Sequence, residues 1–237
     1  MADFVAYDVF ILKRNQADKD YSADILAVAE QRLKDKSAED IALLEKNIVA
    51  GLPGGAESHG SGEFAKRVAR FDNVSNDDMR NNLISFLEAV IPTAEAQGIS
   101  LAIHPDDPPF PLFGLPRIVS TENDLDFLFD AVSSPANGLT FCVGSFGSRA
   151  DNDLVNMAGK YADRIHFTHL RNVSRDVDGS FYEAEHLDGD LDMIGIIQAL
   201  LKAEKNTART HDIFMRPDHG HLLAFEEGSK VNPGYSY

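Results

Sequence analysis

Four residues of types that bind divalent transition metals stand far apart in the chain: His104, Cys142, His169 and Asp218. Their separations are 38, 27 and 49 residues (142 − 104, 169 − 142 and 218 − 169), each about one helix-and-strand unit. A thiolate, two imidazoles and a carboxylate form a competent ligand set, with Zn, Fe and Mn all open. Singly, each residue has a plainer reading. A lone Cys is usually a small buried hydrophobe, a His at a strand end is often a hydrogen-bonded structural residue, and Asp218 after Pro217 could simply form a turn. Arg171 stands two residues past His169. A guanidinium beside a metal suits a bidentate grip on a substrate carboxylate, or it pairs with a nearby acid.

Those positions need elements that bring them together. From Asn76 onward, long amphipathic helices alternate with short β-rich runs: helix 76–98 then strand 99–104, helix 121–134 then strand 139–144, helix 151–162 then strand 164–170, helix 190–205 then strand 211–216. Four such units in a row imply parallel strands joined by crossovers. Each strand ends at or just before one of the four metal-binding residues, and the C-terminal ends of neighbouring parallel strands share one face. Strict alternation puts Ile165, Phe167 and His169 on one side of their strand and His166 on the other, which selects His169 over His166. Upstream, residues 21–50 carry apolar positions at helical spacing and read as two helices. Residues 51–62, rich in Gly, Pro and Ser, read as a loop, and a short helix is expected over 63–71.

Bulk properties narrow the function. The chain has 38 acidic against 22 basic residues, a formal net charge of −16, and no basic cluster, so nucleic acid is not an expected partner. An acidic chain acting on an anionic small molecule needs a local positive charge, which a bound cation would supply. Met1–Phe10 lacks the basic and apolar regions of a secretory signal, and no run reaches the roughly 18 apolar residues of a membrane span. The single Cys142 cannot form an internal disulfide, which suits a reducing, cytoplasmic compartment.

The segments His104-Pro-Asp-Asp-Pro-Pro109, Phe113-Gly-Leu-Pro-Arg-Ile-Val-Ser-Thr121, Ala136-Asn-Gly-Leu-Thr-Phe-Cys142, Arg149-Ala-Asp-Asn-Asp-Leu154, Phe167-Thr-His-Leu-Arg171, His186-Leu-Asp-Gly-Asp-Leu-Asp-Met193, Arg216-Pro-Asp-His-Gly-His221 and Asn232-Pro-Gly-Tyr-Ser236 resemble the mannonate dehydratase family in order and spacing. Tyr7 to Arg14 and Asn47-Ile-Val-Ala-Gly-Leu-Pro-Gly54 look like that family's helical insertion. The resemblance implies an α/β fold of the xylose-isomerase-like (β/α)8 TIM barrel type. Residues 1–75 would be the insertion and connecting loop, and 76–237 the four C-terminal βα units, half of the barrel. It further implies that His104, Cys142, His169 and Asp218 hold Mn(2+) or Fe(2+). His219 and Tyr235 match positions used for acid–base work, Arg171 would bind substrate, and His186 and Asp188 line the pocket or cap the helix that begins near Asp190. The reaction implied is loss of water from a small sugar acid, D-mannonate, to give 2-dehydro-3-deoxy-D-gluconate in hexuronate breakdown.

Against the family pattern, the first barrel strands and the last helix are not found in this sequence. An open half-barrel exposes strand edges and apolar helix faces, so self-association into a homo-oligomer is expected, with weak metal binding and little turnover by this chain alone. Two rival readings remain: a xylose-isomerase-like metal-dependent sugar isomerase, against which Cys142 argues because such sites rely on carboxylate and imidazole, and an inactive fragment of a dehydratase.

Overall fold

The structure is a computed structural model and describes residues 1–50, 61–206, 212–219 and 223–230. The chain divides into two compact units, Met1–Val74 with Pro111–Pro116, and Ser75–Phe110 with Arg117–Tyr237.

The first unit is helical. Helix α1 (Ala2–Ala6) runs into a π-helical turn over Tyr7–Ile11, and a 3-10 turn over Ala17–Asp20 leads to α2 (Ala23–Lys34), α3 (Ala38–Ala50) and α4 (Ser61–Ala69). The helices expected over 21–50 and 63–71 are therefore present, while most of the expected 51–62 loop lies outside the described residues. Asp8 is fully buried here. Its carboxylate accepts from Arg14 Nε and Nη2 at 2.9 and 2.8 Å and from the Tyr21 hydroxyl at 2.7 Å, which offsets the several kcal/mol that an unpartnered buried charge would cost.

The second unit opens with α5 (Asn76–Ala96). Ser75 and Asp78 close a capping box: the Asp78 N–H donates to Ser75 Oγ at 3.1 Å, and the Ser75 N–H to the Asp78 carboxylate at 3.0 Å. Gly98, at φ +65°, ends the helix in a Schellman turn, with the Ile99 N–H donating to Ala94 O at 2.8 Å. There follow β1 (Leu101–Ile103), α6 (Glu122–Ala131), β2 (Asn137–Cys142), α7 (Val143–Gly147), α8 (Leu154–Lys160), β3 (Ile165–His169), β4 (Val173–Arg175), β5 (Phe181–Glu183), α9 (Met193–Asn206) and β6 (Phe214–Arg216).

Strands β1, β2, β3 and β6 form one sheet in that order, every pair parallel. The helix-then-strand rhythm thus becomes an α/β fold with a parallel sheet. Leu139, Phe141 and Ile165 are fully buried in a core shared with Leu125 and Leu128 of α6, Met157 of α8 and Ile196 of α9.

Three sequence expectations need correction. The strand expected over 139–144 stops at Cys142, because Val143–Gly147 turns into α7. The strand expected over 211–216 is described only as Phe214–Arg216, with His211 outside the described residues. Strict alternation along β3 also fails. A register shift pairs Leu139 with Ile165 but Thr140 with Phe167, so His166 is the extra residue of a bulge. Leu139 and Thr140 point to opposite sides of β2, so Ile165 and Phe167 do not share a face. His166 packs over Gly138, where a Cβ would collide with its ring, and its Nε2 lies 3.0 Å from Pro135 O.

The entry to α6 is held by a single side chain. Asp124 is buried and accepts from the Ser120 and Thr121 N–H groups at 3.1 and 3.0 Å and from Thr121 Oγ1 at 2.8 Å, while Arg80 Nη2 donates to its other oxygen at 2.8 Å. Asp124→Ala should cost about 2–4 kcal/mol, since it removes the returning half of the capping box with Thr121 and strands buried donors. Urea denaturation should show a lowered midpoint, with Thr121→Ser staying within about 0.5 kcal/mol of the parent.

Candidate metal centre

The parallel register decides which side chains meet. Cys142 and His169 are Cα partners across β2 and β3, and His104 follows Ile103, the partner of Leu139. Three strand ends therefore deliver a thiol and two imidazoles to one place. Among the described residues, one ligand atom from each of His104, Cys142 and His169 lies within 4.8 Å of the other two. His104 Nε2 faces His169 Nδ1 at 3.3 Å, and the same His169 nitrogen lies 3.4 Å from Asp218 Oδ2. Donor atoms bonded to one ion at about 2.0–2.3 Å sit roughly 3–4 Å apart, so these separations suit a shared cation.

The surroundings prepare the donors. His104 Nδ1 lies 2.7 Å from Pro105 O; a proton there donates to the carbonyl and leaves the Nε2 lone pair toward His169. Cys142 is fully buried and accepts a hydrogen bond from Ser145 Oγ at 3.1 Å, which orients its lone pairs. Asp218 is buried, adopts φ +66°, and accepts from Arg216 Nη2 at 2.8 Å. A left-handed aspartate is uncommon and turns its carboxylate back toward His169. The donor set is that of a transition-metal site, soft sulfur beside imidazole nitrogen and carboxylate oxygen.

The other expected site residues fall as follows. His219 is partly exposed, with Nε2 3.7 Å from Asp218 Oδ2, so it stands next to the centre. His186 reaches the same turn from another loop, Nε2 lying 3.2 Å from Pro217 O. Asp188 is exposed, and its N–H donates to Glu185 O at 3.1 Å. The cap of α9 belongs to Asp192, whose Oδ1 accepts from the Gly195 N–H at 2.9 Å, and not to His186 or Asp188. Tyr235 lies outside the described residues.

Arg171 is buried beside the centre, but the carboxylates it grips are the protein's own. Nε and Nη2 donate to Glu183 at 2.9 and 2.7 Å, and Nη1 donates to Asp107. Burial alone would lower the guanidinium pKa. Its hydrogen bonds and the charges of Glu183 and Asp107 outweigh that and raise it above the usual arginine value. Of the two readings its sequence setting left open, the structure shows the pairing with nearby acids. Asp106 is a loop residue: its Oδ2 accepts from the Ile118 and Val119 N–H groups, both at 2.8 Å.

Sequence reasoning missed the β4–β5 hairpin that carries Glu183, although Asp178-Gly179 between β-rich runs is a hairpin signal and Gly179 sits at φ +83°. It also missed Asn172, fully buried, whose Oδ1 accepts from the Val173 and Leu191 N–H groups and whose Nδ2 donates to His186 O. No motif announces such a residue; only its loop partners define it.

A family model described as D-mannonate dehydratase (UxuA) matches residues 13–237. Mannonate dehydratase 2 of Agrobacterium fabrum is 55% identical over 240 residues, covering 100% of this chain and 60% of its own length. The mannonate dehydratase of Saccharophagus degradans is 51% identical, covering 100% and 61%, and that of Marinomonas sp. is 46% identical, covering 98% and 61%. The chain thus spans about three fifths of the length of these relatives. The crystal structure of mannonate dehydratase from Streptococcus suis serotype 2 superposes with a TM-score of 0.61 at 34% identity, covering 74% of this chain and 52% of that one.

The geometry predicts selective loss of metal. His169→Ala removes the nitrogen 3.3 Å from His104 and 3.4 Å from Asp218, so elemental analysis after Mn(2+) loading should fall from stoichiometric to background. His166→Ala should leave the metal content unchanged. Full metal retention in the His169 variant would remove the site.

Proposed function

The chain belongs to the D-mannonate dehydratase family, and on that premise we propose that it serves the metal-dependent dehydration of D-mannonate to 2-dehydro-3-deoxy-D-gluconate, with its parallel sheet forming part of a (β/α)8 barrel. The observation that supports this most is the convergence of His104, Cys142 and His169 at the C-terminal ends of three neighbouring parallel strands, with Asp218 at the fourth. That end of the strands is where barrels of this class do their chemistry.

The proposed ligands are His104, Cys142, His169 and Asp218, and the ion is Mn(2+) or Fe(2+). When bound, the ion supplies Lewis-acid stabilisation of negative charge developing on substrate oxygen. The chain's own residues handle the protons. Dehydration takes the proton from C2 and expels the C3 hydroxyl, which leaves as water once protonated. His219 and Tyr235 divide the base and acid roles between them. His219 is suited to this because its imidazole lies beside the centre, with Nε2 3.7 Å from Asp218 Oδ2. His186 and Asp188 are assigned to the pocket, a reading that the 3.2 Å approach of His186 Nε2 to Pro217 O supports for His186. The assembly is proposed to work on a small sugar acid in the cytoplasm.

Mass spectrometry tests the reaction even at a low rate. With Mn(2+) present, D-mannonate should be converted to a product lighter by one water, and aldoses such as xylose should not be isomerised. An isomer of unchanged mass from an aldose would favour the isomerase reading and sink this one. His219→Asn should lower turnover by about 10²–10⁴-fold with metal content unchanged.

A further inference from the structure

Arg171 makes contacts that neither metal binding nor proton transfer requires. Its side chain crosses the mouth of the sheet and touches a segment from each of the three strand ends. On one side Nη1 donates to Asp107, three residues beyond His104. Its aliphatic stem lies over Gly144, two residues beyond Cys142, and a Cβ there would come within 2.5 Å of both Arg171 Cγ and Cδ. Arg171 itself is two residues beyond His169. At the far end Nε and Nη2 make paired bonds to Glu183 of the hairpin.

We propose that Arg171 is a positioning residue for the metal centre, a strut that holds the β1, β2 and β3 ends at the spacing at which His104, Cys142 and His169 share one ion. This rests on the metal-site reading above. Short β1 needs such a strut: it is three residues long, so few ladder hydrogen bonds fix the direction of His104. The planar guanidinium can bind two carboxylates in different directions at once, which an ammonium on a flexible stem cannot do. Gly144 is then explained as well, since any side chain there would displace a stem pinned at its far end by two ion pairs.

The test measures Mn(2+) affinity by calorimetry, and follows the thiolate charge-transfer band of the Co(2+)-loaded protein as a report on Cys142. Arg171→Lys and Gly144→Ala should each weaken Mn(2+) binding by about 10–100-fold, the range seen when groups behind metal ligands are altered, and should shift or weaken the Co(2+) band. Glu183→Gln, which keeps size and leaves the guanidinium in place, should weaken binding by a smaller factor and guards against loss of folding in the other two. Mn(2+) affinity within twofold of the parent in all three variants, with the Co(2+) band unchanged, would overturn the strut. If the parent protein itself binds no Mn(2+), the metal-site reading fails and the strut falls with it; that is distinct from a parent that binds and variants that bind equally well.

Discussion

The register of the parallel sheet is the constraint on which the rest depends. In a parallel ladder, neighbouring strands run to the same end, and Cys142 opposite His169 follows directly from the pairing of β2 with β3. A shift by one residue would turn Cys142 or His169 to the other face, among the buried apolar residues packed by α6, α8 and α9. The bulge at His166 is part of this arrangement. It absorbs the odd residue between the core-facing Ile165 and the site-facing His169, so that both ends of β3 satisfy their own surroundings.

Polar groups at the strand ends carry a second layer of organisation. Arg171, Asp107 and Glu183 form a desolvated cluster in which two carboxylates answer one guanidinium. Replacing such a network with apolar side chains would often leave stability unchanged, whereas removing a single partner is destabilising because a buried charge is left unpaired. The cluster is therefore better understood as fixing a geometry than as adding to stability. Asn172 does similar work without charge. It satisfies two backbone donors and two acceptors in the loops that follow β3 and precede α9, and thereby places the segment that carries His186.

Much of this was legible in the amino-acid pattern. The helix-and-strand rhythm after Asn76 follows from apolar periodicity, and the helix expected over 76–98 is α5, Asn76–Ala96. The positions of His104, Cys142 and His169 at strand ends were readable from spacing, because a parallel sheet brings equivalent ends together. The bulge in β3 was not readable, since Ile165, His166 and Phe167 fit an unbroken alternation equally well. The partners of Arg171 were not readable either. Glu183 approaches it only through a hairpin, and Asp107 lies 64 positions away, so a guanidinium next to a metal site looked free to meet substrate.

The charges around the centre explain why the site calls for a cation. With Cys142 as thiolate, that group together with Asp218, Asp107 and Glu183 brings four negative charges to the strand ends, against the positive charges of Arg171 and Arg216. Arg171 is enclosed by its two carboxylates, so it offers little positive potential to an incoming anion. An anion approaching this acidic chain would meet net repulsion. A divalent ion between His104, Cys142 and His169 would cancel the excess of two. The electrostatic need for that ion and the convergence of its ligands are separate observations, one from charge and one from distance, and they point to the same position.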